Sequence, residues 1–513
     1  MDLKTKDENR NKETIINILA IILNQVLNFV YVLVSKKFFL EFFSISVLGV
    51  IDLFSSFFQS LMLLEMGFGT ILIFNLYKPL TNGDQKEIER QLSIFKTIYS
   101  SISFVIIGIA LTVAPFLFNV FNIDFADKLA VYVIYFSNVI HVIVKYAFLN
   151  KASILAASQN KYIEVYISIA VDFGCFVLRL LSLFAFKNLY LYLLAQLLLP
   201  SLTYYLENLW VNRHYHLSKI NFSTFKEIKE SDVLKQCHKY IYATIYELVF
   251  YSMDNIIISI ALSTDSIAYV SNYFGLIKTV SHLIVLVLTS FRGVVANYYH
   301  SYQSDEGMYQ IYDVYAAFNF IFVAIVSVGM YCMIDDFIAL WIGPQYIIAQ
   351  EIKLILIITL AINGIFEALN NIFTIKGYIF KEKWFLITSA LTNLVLTILL
   401  IKPMGISGAY LATMIAQLIR WSGKFFFIMQ DTFRNHRLAV FGKLSGYLVI
   451  VLIEMNCLDI VLNHLFIGPV SILNFICQSM TIVLLVSAIN GLIILLNKNV
   501  REYLNRFIVK FRG

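Results

Sequence analysis

Charge is scarce in this 513-residue chain: 14% of its residues are Asp, Glu, Lys or Arg, against about 25% in an ordinary soluble domain. That shortage excludes a soluble globular protein. Cysteine is also sparse, and Cys175, Cys237, Cys332, Cys457 and Cys477 are widely spaced without a CxxC pair, so neither a disulfide framework nor a zinc site is implied. No Walker A motif is present, because Gly423-Lys424 and Gly442-Lys443 continue into Phe425 and Leu444 and lack the upstream glycine. ATP hydrolysis by that route is excluded. None of the eight histidines forms HExxH, and the first apolar segment is too long for a signal-peptide core and has no small-residue cleavage site. It reads as a retained span.

What the chain has instead is apolar length. Hydrophobic residues make up 59% of it, the mean hydropathy is +0.76, and a bilayer core needs about 20 helical residues to cross. Cutting at charged, Pro and Gly breaks gives fourteen spans, at 14–35, 44–66, 92–118, 127–148, 162–185, 190–212, 239–262, 267–291, 312–333, 350–373, 384–402, 406–429, 443–465 and 469–496. The expected fold class is therefore an all-α polytopic membrane protein. The aromatic fraction of 15% suits lipid-facing surface and interfacial belts.

The net charge of +6 is a matter of topology. With the N-terminus inside, the outer loops hold only Lys36, Lys37, Lys128, Lys187, Lys353 and Lys402, while Arg179 and Lys278 lie within spans and the other basic residues are cytoplasmic. Both termini are therefore expected in the cytoplasm, and no nucleic-acid partner is implied. The outer loops are too short for an enzyme's active site, and Asp335-Asp336 reads as a solvated feature of one of them.

Sliding the chain against itself aligns Ser44-Ile45 with Ser266-Ile267, Lys161-Tyr162 with Lys383-Trp384, and Ala195-Gln196-Leu197 with Ala416-Gln417-Leu418 at nearly one offset. This predicts an N-terminal lobe over 1–212, a basic linker over 213–238, a C-terminal lobe over 239–429, and two appended spans with a tail over 430–513. Six spans per lobe give the copies the same orientation and a pseudo-two-fold axis along the membrane normal, with a cavity expected between the halves.

Polar residues at helical spacing form stripes. Span 1 carries Asn17, Asn24 and Asn28 with Gln25, span 2 carries Asp52, Ser55, Ser56 and Gln59, and span 4 carries Asn138, His141 and Lys145. Span 8 aligns Ser271, Gly275, Lys278 and His282, and span 10 aligns Asn363, Glu367, Asn370 and Asn371. Asp172 and Arg179 in span 5, like Glu247 and Asp254 in span 7, are two turns apart, which suits the lining of a cavity. The uncharged members also suit interhelical hydrogen bonding. Lys278, Arg179 and Asp254 point to a substrate or ion pathway, with two alternatives: Arg179 can snorkel to the outer surface, and Asp254 can be structural, paired with Lys278.

Several segments, taken in order, resemble bacterial polysaccharide flippases of the Wzx type. These are Leu63 to Leu80 (LLEMGFGTILIFNLYKPL), Leu149 to Ile163 (LNKASILAASQNKYI), SMDNIIISIAL with SIAYVSNYFGLIK, and Met404 to Thr413 (MGISGAYLAT). The resemblance implies the multidrug/oligosaccharidyl-lipid/polysaccharide exporter fold: two pseudo-symmetric six-helix bundles in a V, as in MATE transporters, plus two helices. It also implies the activity, transfer of undecaprenyl-pyrophosphate-linked oligosaccharide to the outer leaflet for O-antigen, capsule or related polymers. Partners would be membrane lipids, a polysaccharide polymerase and chain-length machinery, and the location the bacterial inner membrane. Lys278, Arg179, His282, His141, Asn24, Asn28, Asp52 and Gln59 would then receive pyrophosphate and sugar. In lipid-flippase relatives sodium is held by an Asp on span 7, Asn and Asp on span 11 and Thr on span 12. Asp254, Asn393 and Thr413 match, Glu247 shares the face of Asp254, and Thr397 stands where the second carboxylate would be. No cofactor is expected beyond a coupling sodium ion or proton. The competing readings are a drug or cation antiporter on the same fold and an O-antigen polymerase.

The charge bias makes a direct prediction. Reporter fusions after Ile220 and Asn505 should both read cytoplasmic, and an external signal at either contradicts the topology.

Overall fold

A computed structural model describes residues 3–503 and 505, apart from 64, 122, 124–126, 159, 216, 218–219, 232, 234, 236–240, 302–304, 379–380, 467 and 469–470. Some helical side chains, those of Asn17 and Glu247 among them, also lie outside the described residues. The described residues are overwhelmingly helical and contain no strand. That follows from the solvent: in hydrocarbon every backbone N–H and C=O must be satisfied within its own segment. The chain is an all-α polytopic membrane protein. Among the described residues twelve helices are long and apolar enough to cross a bilayer.

The other two of the fourteen predicted spans are helices as well. One is Ile241–Ala261, where several side chains are undescribed, and the other is Ile406–Asp431, which carries Gln417, Arg420 and Lys424. Those polar groups lower its hydropathy, yet Gln417 and Lys424 are buried in protein.

Contacts divide the chain into two compact units, Met1–Ala268 and Tyr269–Gly513. The first contains α1 (Leu3–Phe42), α2 (Ile45–Leu63), α3 (Met66–Asn82), α4 (Gln85–Val113), α5 (Lys128–Ala157), α6 (Lys161–Phe184), α7 (Leu202–His214) and α8 (Ile241–Ala261). Aromatic packing organises it. Tyr31 of α1 stacks on Phe176 of α6 at 4.6 Å, and Phe54 and Phe58 of α2 meet the edge of Tyr135 on α5. The Tyr135 hydroxyl donates to the Ala110 carbonyl of α4 at 2.8 Å, so a buried phenol is satisfied across a helix interface. α8 packs along α2, with Asn255 donating to Ser56 Oγ at 2.8 Å. Ahead of α7 the span passes through a π turn, Leu194–Leu198, and a 3-10 turn, Leu199–Ser201. Pro200 is the cause, since it has no N–H and its ring crowds the carbonyl one turn back.

The second unit contains most of α9 (Thr264–Ser290), then α10 (Asp305–Trp341), α11 (Gln350–Ile375), α12 (Lys383–Met404), α13 (Ile406–Asp431), α14 (Arg437–Leu465) and α15 (Ile472–Leu495). Gly405, with φ +62, turns α12 into α13. Gly408 then lies against the Leu400 carbonyl and Gly423 against the Phe385 ring, so a side chain at either would force the hairpin apart. α14 and α15 both pack on α10, with Phe320 stacked on Tyr447 at 4.1 Å.

Two loop expectations are corrected. Lys36 and Lys37 belong to α1, and Asp335-Asp336 belong to the last turns of α10. At 1.5 Å per residue the 37 residues of α10 reach about 55 Å, longer than the bilayer core, so the helix continues where hydropathy marks a boundary.

Candidate functional site

The predicted residues fall into three groups. The first is open. On α9, Lys278 and His282 are exposed on one face together with Gly275, where a side-chain Cβ would meet no atom within 4 Å. Lys278 has no hydrogen-bond or ion-pair partner among the described residues. An ammonium in an apolar helix without a counter-ion is energetically expensive.

The second group is closed. Asn393 Nδ2 donates to Thr413 Oγ1 at 2.9 Å, Thr397 Oγ1 donates to Asn393 Oδ1 at 3.4 Å, and Thr413 Oγ1 donates to the Ala409 carbonyl at 3.2 Å. All three residues are buried, and together they hold α12 to α13. Asp254, on α8 in the first unit, is also buried. Glu247 is on the same helix, and its side chain lies outside the described residues.

The third group is local or dispersed. Asn28 Nδ2 donates to Asn24 Oδ1 one turn away at 3.2 Å, Asp52 lies 3.8 Å from Lys36, and Arg179 Nε donates to its own helix at the Cys175 carbonyl at 3.4 Å. Asp172 accepts from Ser168 at 2.9 Å rather than from Arg179. Gln59 is exposed. His141 stays half-buried on α5, its ring edge-on to Tyr204 at 5.9 Å.

Sequence periodicity missed the strongest polar contacts, because they join different helices. Lys145 Nζ of α5 meets Glu65 Oε2 at the α2–α3 junction at 2.9 Å, with both side chains largely buried. Gly69 allows this approach: a Cβ there would sit 3.3 Å from Glu65 Oε1. In the second unit Lys424, 3% exposed, donates to Asn370 Oδ1 at 2.6 Å and lies 3.4 Å from Glu382. Asn370 in turn donates to Glu367 at 3.1 Å, and Arg292 Nε donates to Asn371 at 2.8 Å. Lys353 donates to Asp335 at 2.6 Å, and the Tyr273 hydroxyl donates to the other oxygen of the same carboxylate at 2.6 Å. The solvated reading of Asp335 is thereby replaced by an ion pair. Near the chain end, Asp313, buried on α10, accepts from Lys443, Asn497 and Asn499, on one wall of a cavity of about 460 Å³. The signal for Lys145 and Glu65 was present as a stripe member and a motif residue, whereas their pairing was not.

No protein-family model matches the chain, and no curated protein matches it. Solved structures do. The lipid II flippase MurJ in an inward closed conformation is 14% identical over 93% of this chain and 98% of its own, with a TM-score of 0.66. The chain has the fold of MurJ. An inward-facing multidrug-resistance MATE transporter of the MOP superfamily is 12% identical, over 83% of this chain and 98% of its own, with a TM-score of 0.57. A eukaryotic MATE transporter is 10% identical, over 85% and 99%, with a TM-score of 0.54. At these identities the likeness is one of fold.

Lys145→Ala should lower stability by about 3–5 kcal/mol, because it leaves Glu65 buried and uncompensated. Lys145→Met combined with Glu65→Leu should recover most of that loss. The measurement is the thermal unfolding midpoint of the full chain in detergent, and equal midpoints for the single and double variants would contradict it.

Proposed function

We propose that this chain is a flippase that moves an undecaprenyl-pyrophosphate-linked oligosaccharide from the cytoplasmic to the outer leaflet of a bacterial inner membrane by alternating access, with both termini cytoplasmic. The observation that carries the reading is Lys278, a cation on an apolar helix with no partner among the described residues and His282 one turn beyond it. Such a site is completed by an anion. A drug or cation antiporter on the same fold would have to bring a cationic cargo past an uncompensated ammonium, and the repulsion argues against it. Likeness in fold to a lipid II flippase supports a lipid-linked cargo. The sugars would be met by the neutral polar side chains of the spans, and the product would pass to a polymerase with its chain-length partners for O-antigen or capsule assembly.

Flipping without an ATP motif needs a driving gradient. We assign coupling to Asp254, a buried carboxylate on α8, because an intramembrane carboxylate is the group most able to bind and release a sodium ion or proton as the transporter cycles.

Two results are expected. Lys278→Gln should reduce polymer export at least about tenfold at normal protein level, the loss of one charge-assisted contact of roughly 1.5–3 kcal/mol; full export would overturn the anion site. In proteoliposomes, imposed sodium or proton gradients should change the wild-type flipping rate, and Asp254→Asn should abolish that response. A wild-type rate indifferent to both gradients would make Asp254 structural.

A further inference from the structure

On the two appended spans one buried carboxyl group has no cation to balance it among the described residues. Glu454 stands at the middle of the predicted span 443–465, on α14, and is 5% exposed. Its contact is with α15, a helix without a single Asp, Glu, Lys, Arg or His. There Asn490, wholly buried, donates from Nδ2 to Glu454 Oε1 at 2.8 Å and to Oε2 at 3.0 Å.

The charged groups of the helices packed against this pair are engaged elsewhere. Lys443 lies three turns back on α14, about 16 Å along the axis, and is paired with Asp313 of α10. Lys353 of α11 is paired with Asp335 of α10. Asp336 of α10, Glu367 of α11 and Asp459 of α14 could bring only more negative charge, and no charged group of either sign acts on Glu454. Tyr447, two turns back on the same face of α14, is stacked on Phe320. An ionised Glu454 would therefore stand in hydrocarbon with one neutral amide for company, which is expensive.

A second observation concerns the other end of that amide. Asn490 Oδ1 is buried and has no hydrogen-bond partner among the described residues. Buried polar atoms are ordinarily satisfied. The pair is one donor short, because an ionised carboxylate only accepts and the amide oxygen receives nothing. A single proton on Glu454 supplies that donor. With a rotation of the amide, the acid O–H donates to Asn490 Oδ1 while Nδ2 donates to the carboxyl C=O oxygen, so that both groups are satisfied and no net charge remains.

We propose that α14 and α15 share a proton-binding site in which Glu454 is held as the neutral acid, hydrogen-bonded in both directions to Asn490. The two helices each pack on α10 and touch one another sparsely, so the ring is a polar tie between them. The proton comes from water when the site loads and returns to water when it empties, and emptying leaves a bare carboxylate that favours a state in which α14 and α15 part and admit solvent. The site involves neither Asp254 nor Lys278 and stands whatever the cargo.

Infrared spectra of the full chain in lipid nanodiscs, at about pH 7, read the C=O stretch of protonated carboxyl groups directly. Wild type should show a component that Glu454→Gln lacks, and Asn490→Leu should keep this component and move it to higher frequency, because the C=O loses its donor. Identical wild-type and Glu454→Gln spectra in that region make Glu454 ionised and overturn the site. So does a component that vanishes when sodium replaces potassium in the buffer, which makes the ligand a metal ion. If Glu454→Gln fails to fold, Asn490→Leu decides, and a protonated-carboxyl region that it leaves unmoved overturns the proposal.

Discussion

Everything in this structure depends on the absence of water as a hydrogen-bonding partner inside the bilayer. A polar group placed there is satisfied by the protein or remains costly. The backbone answers with helix throughout, and hydroxyl side chains answer by donating back to their own helix, as Thr112 does to Gly108, Thr279 to Gly275 and Thr481 to Cys477. Charged groups need a partner from another helix. Lys145 finds Glu65, Lys424 finds Glu382 and Asn370, Lys353 finds Asp335, and Asn490 donates to both oxygens of Glu454 at 2.8 and 3.0 Å. These pairs position helices, because breaking one leaves its buried partner uncompensated.

The span positions were legible in the sequence because one property, apolar length, sets them, and among the described residues the predicted spans fall on helical segments, the one at 190–212 interrupted by a π turn and a 3-10 turn. The shared face of Gly275, Lys278 and His282 was legible too, since it depends only on helical periodicity. Charges mislead for a physical reason. A Lys or Asp in a hydropathy profile looks like the end of a span, yet Lys36, Lys353 and Asp335 all lie within continuous helices. Long side chains carry their charge away from their own Cα, so position along the chain does not give the position of the charge. Pairing was hidden more deeply: 80 residues separate Lys145 from Glu65, and only the packing of α5 on α2 and α3 brings them together. Gln59, in register with the polar stripe of span 2, is exposed.

Some polar groups of the spans are satisfied within the protein and others stay open. The Asn393, Thr397 and Thr413 network satisfies itself, and what is satisfied at rest gains little from a ligand. Asn393 and Thr413, which sequence matching grouped with Asp254, bond to each other on α12 and α13 of the second unit, and Asp254 is on α8 of the first. Lys278 is open in the opposite sense, a cation without its complement among the described residues.

A transporter must exchange ligands, so its working groups are those whose partner comes from outside. A ligand shifts a conformational equilibrium only through its differential affinity for the two states, and a permanent ion pair contributes the same energy whatever is bound. An unpartnered ammonium stabilises whichever state lets an anion reach it, and an unpartnered carboxylate does the same for a proton. On the reading proposed above, Lys278 in the second unit is such a group, and an anion arriving there or leaving would bias the equilibrium.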